Sequence, residues 1–121
     1  MPTILVVEDE ASIRKLVAVN LSARGYDVIE AASAEDGLVQ LRQVPFSLVL
    51  LDIKLPGMRG WDLLTAMSED PAISLDIPII VMTASVPEVQ TQAQDYPNVV
   101  KVMIKPFDID DLVQAVADAL G

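Results

Sequence analysis

The sequence predicts an α/β fold in which five parallel strands are flanked by five helices. Five short runs rich in apolar and β-branched residues alternate along the 121 residues with segments of helical hydrophobic periodicity. Four of the runs are almost continuously apolar, which is typical of strands buried on both faces of a parallel sheet. Right-handed crossovers between successive strands would then place helices on both faces of that sheet.

The predicted strands are separated by enough chain for a helix in each interval. They occupy residues 3–7, 26–30, 47–51, 77–82 and 99–104. The second run is shorter and more polar than the others, because only Val28 and Ile29 lie between Tyr26 and Glu30. We therefore expect this strand at an edge of the sheet.

Helix boundaries are indicated by capping residues and breakers. Gly25 is placed to end the first helix, and Ser33 is placed to cap the second. The third is expected from about Gly60 through Met67. A weaker fourth helix is expected from Pro87 to about Asp95, and Asp108 is expected to cap the fifth.

Composition narrows the classes of function. A hydrophobic content of 52% excludes a disordered chain, and the length suits one domain, expected to span residues 1–121. No apolar run reaches the length of a membrane span, so membrane insertion is not expected. The absence of cysteine fits a cytoplasmic location. A net charge of −10 disfavours direct nucleic-acid binding and favours divalent cations and basic protein partners.

Charged and hydroxyl side chains stand where the predicted strands end. Glu8 and Asp9 follow the first strand, Asp52 the third, Thr83 the fourth and Lys105 the fifth. The carboxyl ends of parallel strands meet at one edge of an open sheet, and ligands bind there. Three carboxylates, a hydroxyl and an ammonium in one cleft predict a site for phosphate and a divalent metal.

These residues belong to a pattern that resembles the response-regulator receiver domains of two-component signalling, of the chemotaxis-regulator type. The resemblance covers essentially the whole chain. Its motifs are Glu8-Asp9, residues 50–58 (LLDIKLPGM), Thr83-Ala84 and Lys105-Pro106-Phe107. It implies a flavodoxin-like sheet of strand order 2-1-3-4-5. It also implies a cis peptide bond between Lys105 and Pro106.

The resemblance implies that the chain is a phosphoacceptor. Asp52 would take a phosphoryl group from a histidine kinase or a histidine phosphotransfer protein, and phosphorylation would alter binding to a downstream protein. Lys105 would neutralise the phosphoryl group, and Thr83 would donate its hydroxyl to it. Such a domain promotes its own phosphorylation and dephosphorylation but turns over no separate substrate.

The resemblance also implies a Mg²⁺ site, in which Mn²⁺ could substitute. Asp9, Asp52 and the backbone carbonyl of Lys54 would bind the ion directly, and Glu8 would act mainly through water.

Simpler interpretations exist for these residues when each is taken alone. Asp52 could be a solvated turn aspartate, and the acidic residues after the first strand could complement the dipole of the first helix.

Two other functions remain open. The first is a receiver-like docking module that works without phosphorylation, against which the complete set of strand-end residues argues. The second is an enzyme of the same fold class, either a flavodoxin-like electron carrier or an aspartyl phosphatase. Residues 8–10 would repel a flavin phosphate, and Lys54 stands where such a phosphatase carries a second carboxylate.

Val102, where many receivers have an aromatic residue, predicts a different route for the output signal.

Overall fold

A computed structural model describes residues 2–54, 57, 59–74, 76–84, 93 and 95–121. The strands in this part of the chain are β1 (Thr3–Val7), β2 (Asp27–Ala31), β3 (Leu48–Asp52), β4 (Ile79–Thr83) and β5 (Val99–Ile104). The helices are α1 (Ala11–Ser22), α2 (Ala34–Gln43), α3 (Gly60–Glu69) and α4 (Ile109–Leu120). Thus α4 is the fifth helix that the sequence predicts. The predicted fourth, from Pro87 to about Asp95, falls mostly outside the described residues.

The five strands form one parallel sheet in the order β2-β1-β3-β4-β5, as the sequence predicted. In the pairing of β1 with β3, Val7 lies opposite Leu51. In the pairing of β3 with β4, Asp52 lies opposite Met82. The ends of the three central strands are therefore level, and the residues that end or follow them share one edge of the sheet.

Ser33 and Asp108 cap the starts of α2 and α4 as predicted, whereas α1 ends at Ser22, with Ala23 as its C-cap, before the predicted Gly25. The Ser33 hydroxyl accepts a hydrogen bond from the backbone N–H of Asp36, and the Asp108 carboxylate accepts one from the N–H of Asp110. Each bond satisfies a backbone donor that has no partner inside its helix. Gly25, after α1, has φ of 90°, a left-handed conformation that glycine adopts without a steric penalty.

Side chains alternate between two hydrophobic cores, one on each face of the sheet. On β1, Leu5 and Val7 join one core, and Ile4 and Val6 join the other. Strands β1, β3 and β4 are buried along almost their whole length. Their burial leaves little freedom in the positions of the residues that follow them.

The expectation of burial on both faces is wrong for β5. This strand forms the second edge of the sheet, so Val100, Lys101 and Ile104 are exposed. The strand order implied by the resemblance already placed β5 at an edge, but its largely apolar sequence indicated burial on both faces. None of the described helices is long and apolar enough to cross a bilayer.

Candidate phosphoacceptor and metal site

The carboxyl ends of four strands bring the predicted site residues together. Glu8 directly follows β1, Asp52 ends β3, and Thr83 ends β4; all three are buried, and Glu8 completely so. The backbone N–H of Lys105 donates to the carbonyl oxygen of Thr83 at 2.7 Å, which continues the pairing of β4 with β5 past the end of β5. This bond fixes where the lysine side chain starts. The Lys105–Pro106 peptide bond that follows is cis, as predicted.

The ammonium of Lys105 joins two of the carboxylates. Its Nζ lies 2.6 Å from Oε1 of Glu8 and 3.1 Å from Oδ2 of Asp52. The other oxygen of Asp52, Oδ1, accepts a hydrogen bond from the backbone N–H of Lys54 at 3.0 Å. Both oxygens of Asp52 are therefore held, and the carboxylate has a fixed orientation at the end of β3.

Glu8 is in an electrostatically unfavourable position. Its second oxygen, Oε2, is buried and has no hydrogen-bond partner among the described residues. Burial, together with the hydrogen bond and charge of Asp52, raises the pKa of Glu8 to about 8 although Lys105 acts in the opposite direction. Burial also lowers the pKa of Lys105, but its bonds to Glu8 and Asp52 outweigh this and leave that pKa above its ordinary value. One ammonium thus compensates only part of the carboxylate charge.

A third carboxylate makes the cluster suitable for a divalent cation. Oxygens of Glu8, Asp9 and Asp52 all lie within 4.8 Å of one another. Glu8 and Asp52 are buried, whereas Asp9 is exposed and leaves the cluster open to solvent on its side. Hard oxygen donors, excess negative charge and a buried oxygen that no described residue bonds all fit Mg²⁺, which prefers carboxylate and water ligands.

Two contacts at this site were not predicted from the sequence. Nη1 of Arg14 donates to the backbone carbonyl oxygen of Glu8 at 2.9 Å. Gly60, predicted only as the start of a helix, lies so close to β3 that an added Cβ would be 2.8 Å from the carbonyl oxygen of Asp52. For the Arg14 contact, one signal was available in the sequence. Glu30 is a charged residue in the edge strand β2, which indicates a cationic partner on a neighbouring element, and Arg14 is that partner.

The remaining sequence predictions for this region have mixed outcomes. Leu55, Pro56 and Met58 of the motif around Asp52 lie outside the described residues. Trp61, on α3, stacks on Tyr96 with a distance of 5.4 Å between ring centroids. Val102 packs against the core on one face of the sheet, where it is partly buried.

The sequence model of the response regulator receiver domain family matches residues 4–117 of this chain. The chain belongs to this family. Among curated relatives, the phosphate regulon transcriptional regulatory protein PhoB of Pseudomonas aeruginosa is 36% identical over 117 residues, which cover 92% of this chain and 48% of that protein. The chain spans about half the length of the first curated relatives it matches. It is thus a receiver domain of the kind found in two-component response regulators, which are signalling modules.

Solved structures agree with this assignment. The chemotaxis protein CheY4 of Vibrio cholerae superposes with a TM-score of 0.90 at 25% identity, covering 98% of each chain. The response regulator TrrA of Thermotoga maritima, solved in complex with Mg²⁺-BeF, has a TM-score of 0.83 at 28% identity. That match covers 98% of this chain and 99% of TrrA. The flavodoxin-like fold predicted from the sequence is confirmed.

Proposed function

We propose that residues 1–121 act as one phosphoacceptor domain, which takes a phosphoryl group on Asp52 from a histidine kinase or a histidine phosphotransfer protein. The observation that carries this proposal is the contact between the Lys105 ammonium and Oδ2 of the buried Asp52. A cation already lies beside the oxygen to which the charge of a phosphoryl group would be added. Phosphorylation would then change the affinity for a downstream protein.

The receiver contributes little covalent chemistry to the transfer beyond the attack by Asp52. A carboxylate oxygen of Asp52 attacks phosphorus, so that a P–O bond forms while the P–N bond of the phosphohistidine breaks. The electron pair of the broken bond goes to the imidazole nitrogen of the donor. The Lys54 N–H on Oδ1 orients the carboxylate for this attack, and Lys105 balances the incoming charge. Thr83, at the end of the neighbouring strand, would donate its hydroxyl to a phosphoryl oxygen.

Asp9, Asp52 and the backbone carbonyl of Lys54 would hold Mg²⁺, with Glu8 acting through water; Mn²⁺ could take its place. When bound, the ion would neutralise charge on the phosphoryl oxygens. The carboxylate cluster supports this assignment, as does Oε2 of Glu8, which has no hydrogen-bond partner among the described residues. The complex of the similar regulator TrrA with Mg²⁺-BeF also supports it.

The partners follow from the charge of the chain. A net charge of −10 opposes contact with nucleic acid or an anionic membrane, so the expected partners are proteins with basic surfaces in the cytoplasm. The domain would promote only its own phosphorylation and dephosphorylation. It would not turn over a separate substrate.

Intact mass after incubation with acetyl phosphate and Mg²⁺ tests the proposal. The wild-type chain should gain the mass of one phosphoryl group, whereas Asp52→Asn, and the wild type in excess chelator, should not. Asp27→Asn, which changes an exposed aspartate at the start of β2, is the matched control and should react like the wild type. An adduct that forms equally in Asp52→Asn would show that Asp52 is not the acceptor. A wild type that never reacts would favour the docking module without phosphorylation.

A further inference from the structure

Arg14, on α1, connects the loop after β1 to the edge strand β2. Its Nη1 donates to the carbonyl oxygen of Glu8 at 2.9 Å, and its Nε donates to Oε1 of Glu30 at 3.2 Å. Its side chain is only 15% exposed. Since the guanidinium is planar and its donors are fixed relative to one another, two such bonds restrict the position of the loop.

The same segment of β2 holds Glu8 from the other side. The backbone N–H of Glu8 donates to the carbonyl oxygen of Ala31 at 3.1 Å. Glu30 and Ala31 are the last two residues of β2, so this strand end binds the Glu8 N–H directly and the Glu8 carbonyl through Arg14. Backbone groups on both sides of the Glu8 Cα atom are thereby fixed.

The carbonyl that Arg14 binds belongs to the peptide group between Glu8 and Asp9. Fixing this peptide plane also fixes the direction in which the chain enters Asp9. That direction matters because the Asp9 carboxylate is exposed and lies within 4.8 Å of two other carboxylates, which repel it. Without a tether, the loop would relieve this repulsion by turning Asp9 toward solvent.

We propose that Arg14 is a positioning residue for the divalent-metal site. It binds neither the metal nor the phosphoryl group; it holds the Glu8–Asp9 peptide so that the Asp9 carboxylate stays beside Asp52 before the ion arrives. Outer contacts of this kind commonly change metal affinity by about 10- to 100-fold. The inference rests on the metal site of the proposed function, and it adds a residue that has no direct contact with the reacting atoms.

Lys15 supplies a matched control. Its Nζ binds the other oxygen of Glu30, Oε2, at 3.1 Å, and its side chain is 66% exposed. Lys15→Gln and Arg14→Gln each remove one positive charge and one ion pair with Glu30, but only Arg14→Gln removes the bond to the Glu8 carbonyl. A difference between the two variants therefore reports the tether and not the net charge.

The test is a Mg²⁺ titration of each variant followed by the amide resonances of Asp9 and Lys54 in NMR spectra. Arg14→Gln should weaken Mg²⁺ binding by about tenfold, and Lys15→Gln should stay close to the wild type. In the absence of metal, the Asp9 amide should already be shifted in Arg14→Gln. With acetyl phosphate, Arg14→Gln should need more Mg²⁺ for half-maximal phosphorylation and should recover the wild-type rate at saturating Mg²⁺.

Two results would overturn the inference. Equal Mg²⁺ affinities in Arg14→Gln and Lys15→Gln would show that the tether does not position the site. A rate that falls by the same factor at every Mg²⁺ concentration, together with a lower melting temperature, would show a general structural role. If Arg14→Gln does not fold, Arg14→Lys, whose ammonium lacks the fixed planar donor geometry of the guanidinium, must show an intermediate loss of affinity.

The outcome for the wild type separates this inference from the proposed function. A wild type that binds no Mg²⁺ and forms no adduct removes the basis of both. A wild type that binds Mg²⁺ and is phosphorylated, with Arg14→Gln unchanged in both respects, rejects only the role of Arg14.

Discussion

Ionic groups are arranged differently at the two ends of the parallel strands, the carboxyl edge and the amino edge of the sheet. At the carboxyl edge, Lys105 faces Glu8 and Asp52 in a buried cluster, and one carboxylate oxygen has no partner among the described residues. At the amino edge, Arg42 pairs with Asp70 near the ends of α2 and α3, with 2.6 Å between Nε and Oδ2. The other oxygen of Asp70 accepts the N–H of Ala72. One edge has excess negative charge, and the other has a balanced pair.

This difference separates a binding site from a structural contact. Charges that are matched inside the fold add a little stability and have no need of a ligand. Buried carboxylates in excess of their cations reduce stability until a cation binds. The unbalanced carboxylates at the carboxyl edge are therefore expected to bind a cation. Changes to their charges should affect stability more than changes at the amino edge.

The largest effect is expected for Lys105→Met. This substitution leaves the buried Asp52 carboxylate without its ammonium and Glu8 without its hydrogen bond from Lys105, and it should cost about 3 kcal/mol of unfolding free energy. Urea denaturation at neutral pH with EDTA measures it, and added Mg²⁺ should restore part of the loss. Lys101→Met, which removes an exposed lysine from β5, is the control and should be nearly neutral. Equal losses in both variants would show that the ammonium does not offset the buried carboxylates.

A smaller effect of opposite sign is expected for Glu8→Gln. The pKa of Glu8 is about 8 in the folded protein, against an ordinary value of 4.5. Between these values the folded state binds more protons than the unfolded chain, so the stability of the wild type falls as pH rises through this window. Glutamine resembles the protonated carboxyl and lacks this dependence. At pH 8 in EDTA, Glu8→Gln should therefore be more stable than the wild type.

Denaturation midpoints measured from pH 5 to pH 8 check the sign of this prediction. The curves of the wild type and Glu8→Gln should converge toward pH 5. Glu10→Gln, which neutralises an exposed neighbour of the cluster, should follow the wild type in parallel. A Glu8→Gln variant that is less stable than the wild type at pH 8 would mean that the bond from Lys105 outweighs the cost of burying the carboxylate.

The sequence could predict this site because its residues are marked locally. Asp52 and Lys105 each follow an apolar run, and strand ends of a parallel sheet share an edge whatever lies between them. Hence the strand pattern placed Glu8 and Lys105, 97 positions apart, in one cleft, but it did not predict their direct contact. That Lys105 lies closer to Glu8 than to Asp52 depends on side-chain conformations, which no local pattern gives.

The features that were missed depend on distances between elements. The close approach of Gly60 to Asp52 depends on how α3 packs against the end of β3, and the Arg14 tether depends on how α1 lies against β2. The exposure of β5 was missed for a different reason. Its sequence is largely apolar, like that of a central strand, and this pattern favoured burial although the predicted strand order places β5 at an edge.

The smallest effect is expected at the amino edge, for Asp70→Asn. The bond from Arg42, followed by that from the Ala72 N–H, lowers the pKa of Asp70, so its contribution to stability is present at neutral pH and is lost as pH falls through the lowered value. Asparagine can still accept the Ala72 N–H, so the variant loses only the ion pair and should melt slightly below the wild type at pH 7.

Added salt should affect the exposed pair of Arg42 with Asp70 more than the buried cluster around Lys105. The Arg42 side chain is 52% exposed, so added salt should screen its pair with Asp70 and reduce the difference between Asp70→Asn and the wild type. Salt should change the effect of Lys105→Met far less, because that cluster is buried. Arg42→Gln and the double variant complete a cycle, in which the two single changes should not add. Additive changes, or equal salt dependence at both edges, would remove the distinction between a balanced exposed pair and an unbalanced buried cluster.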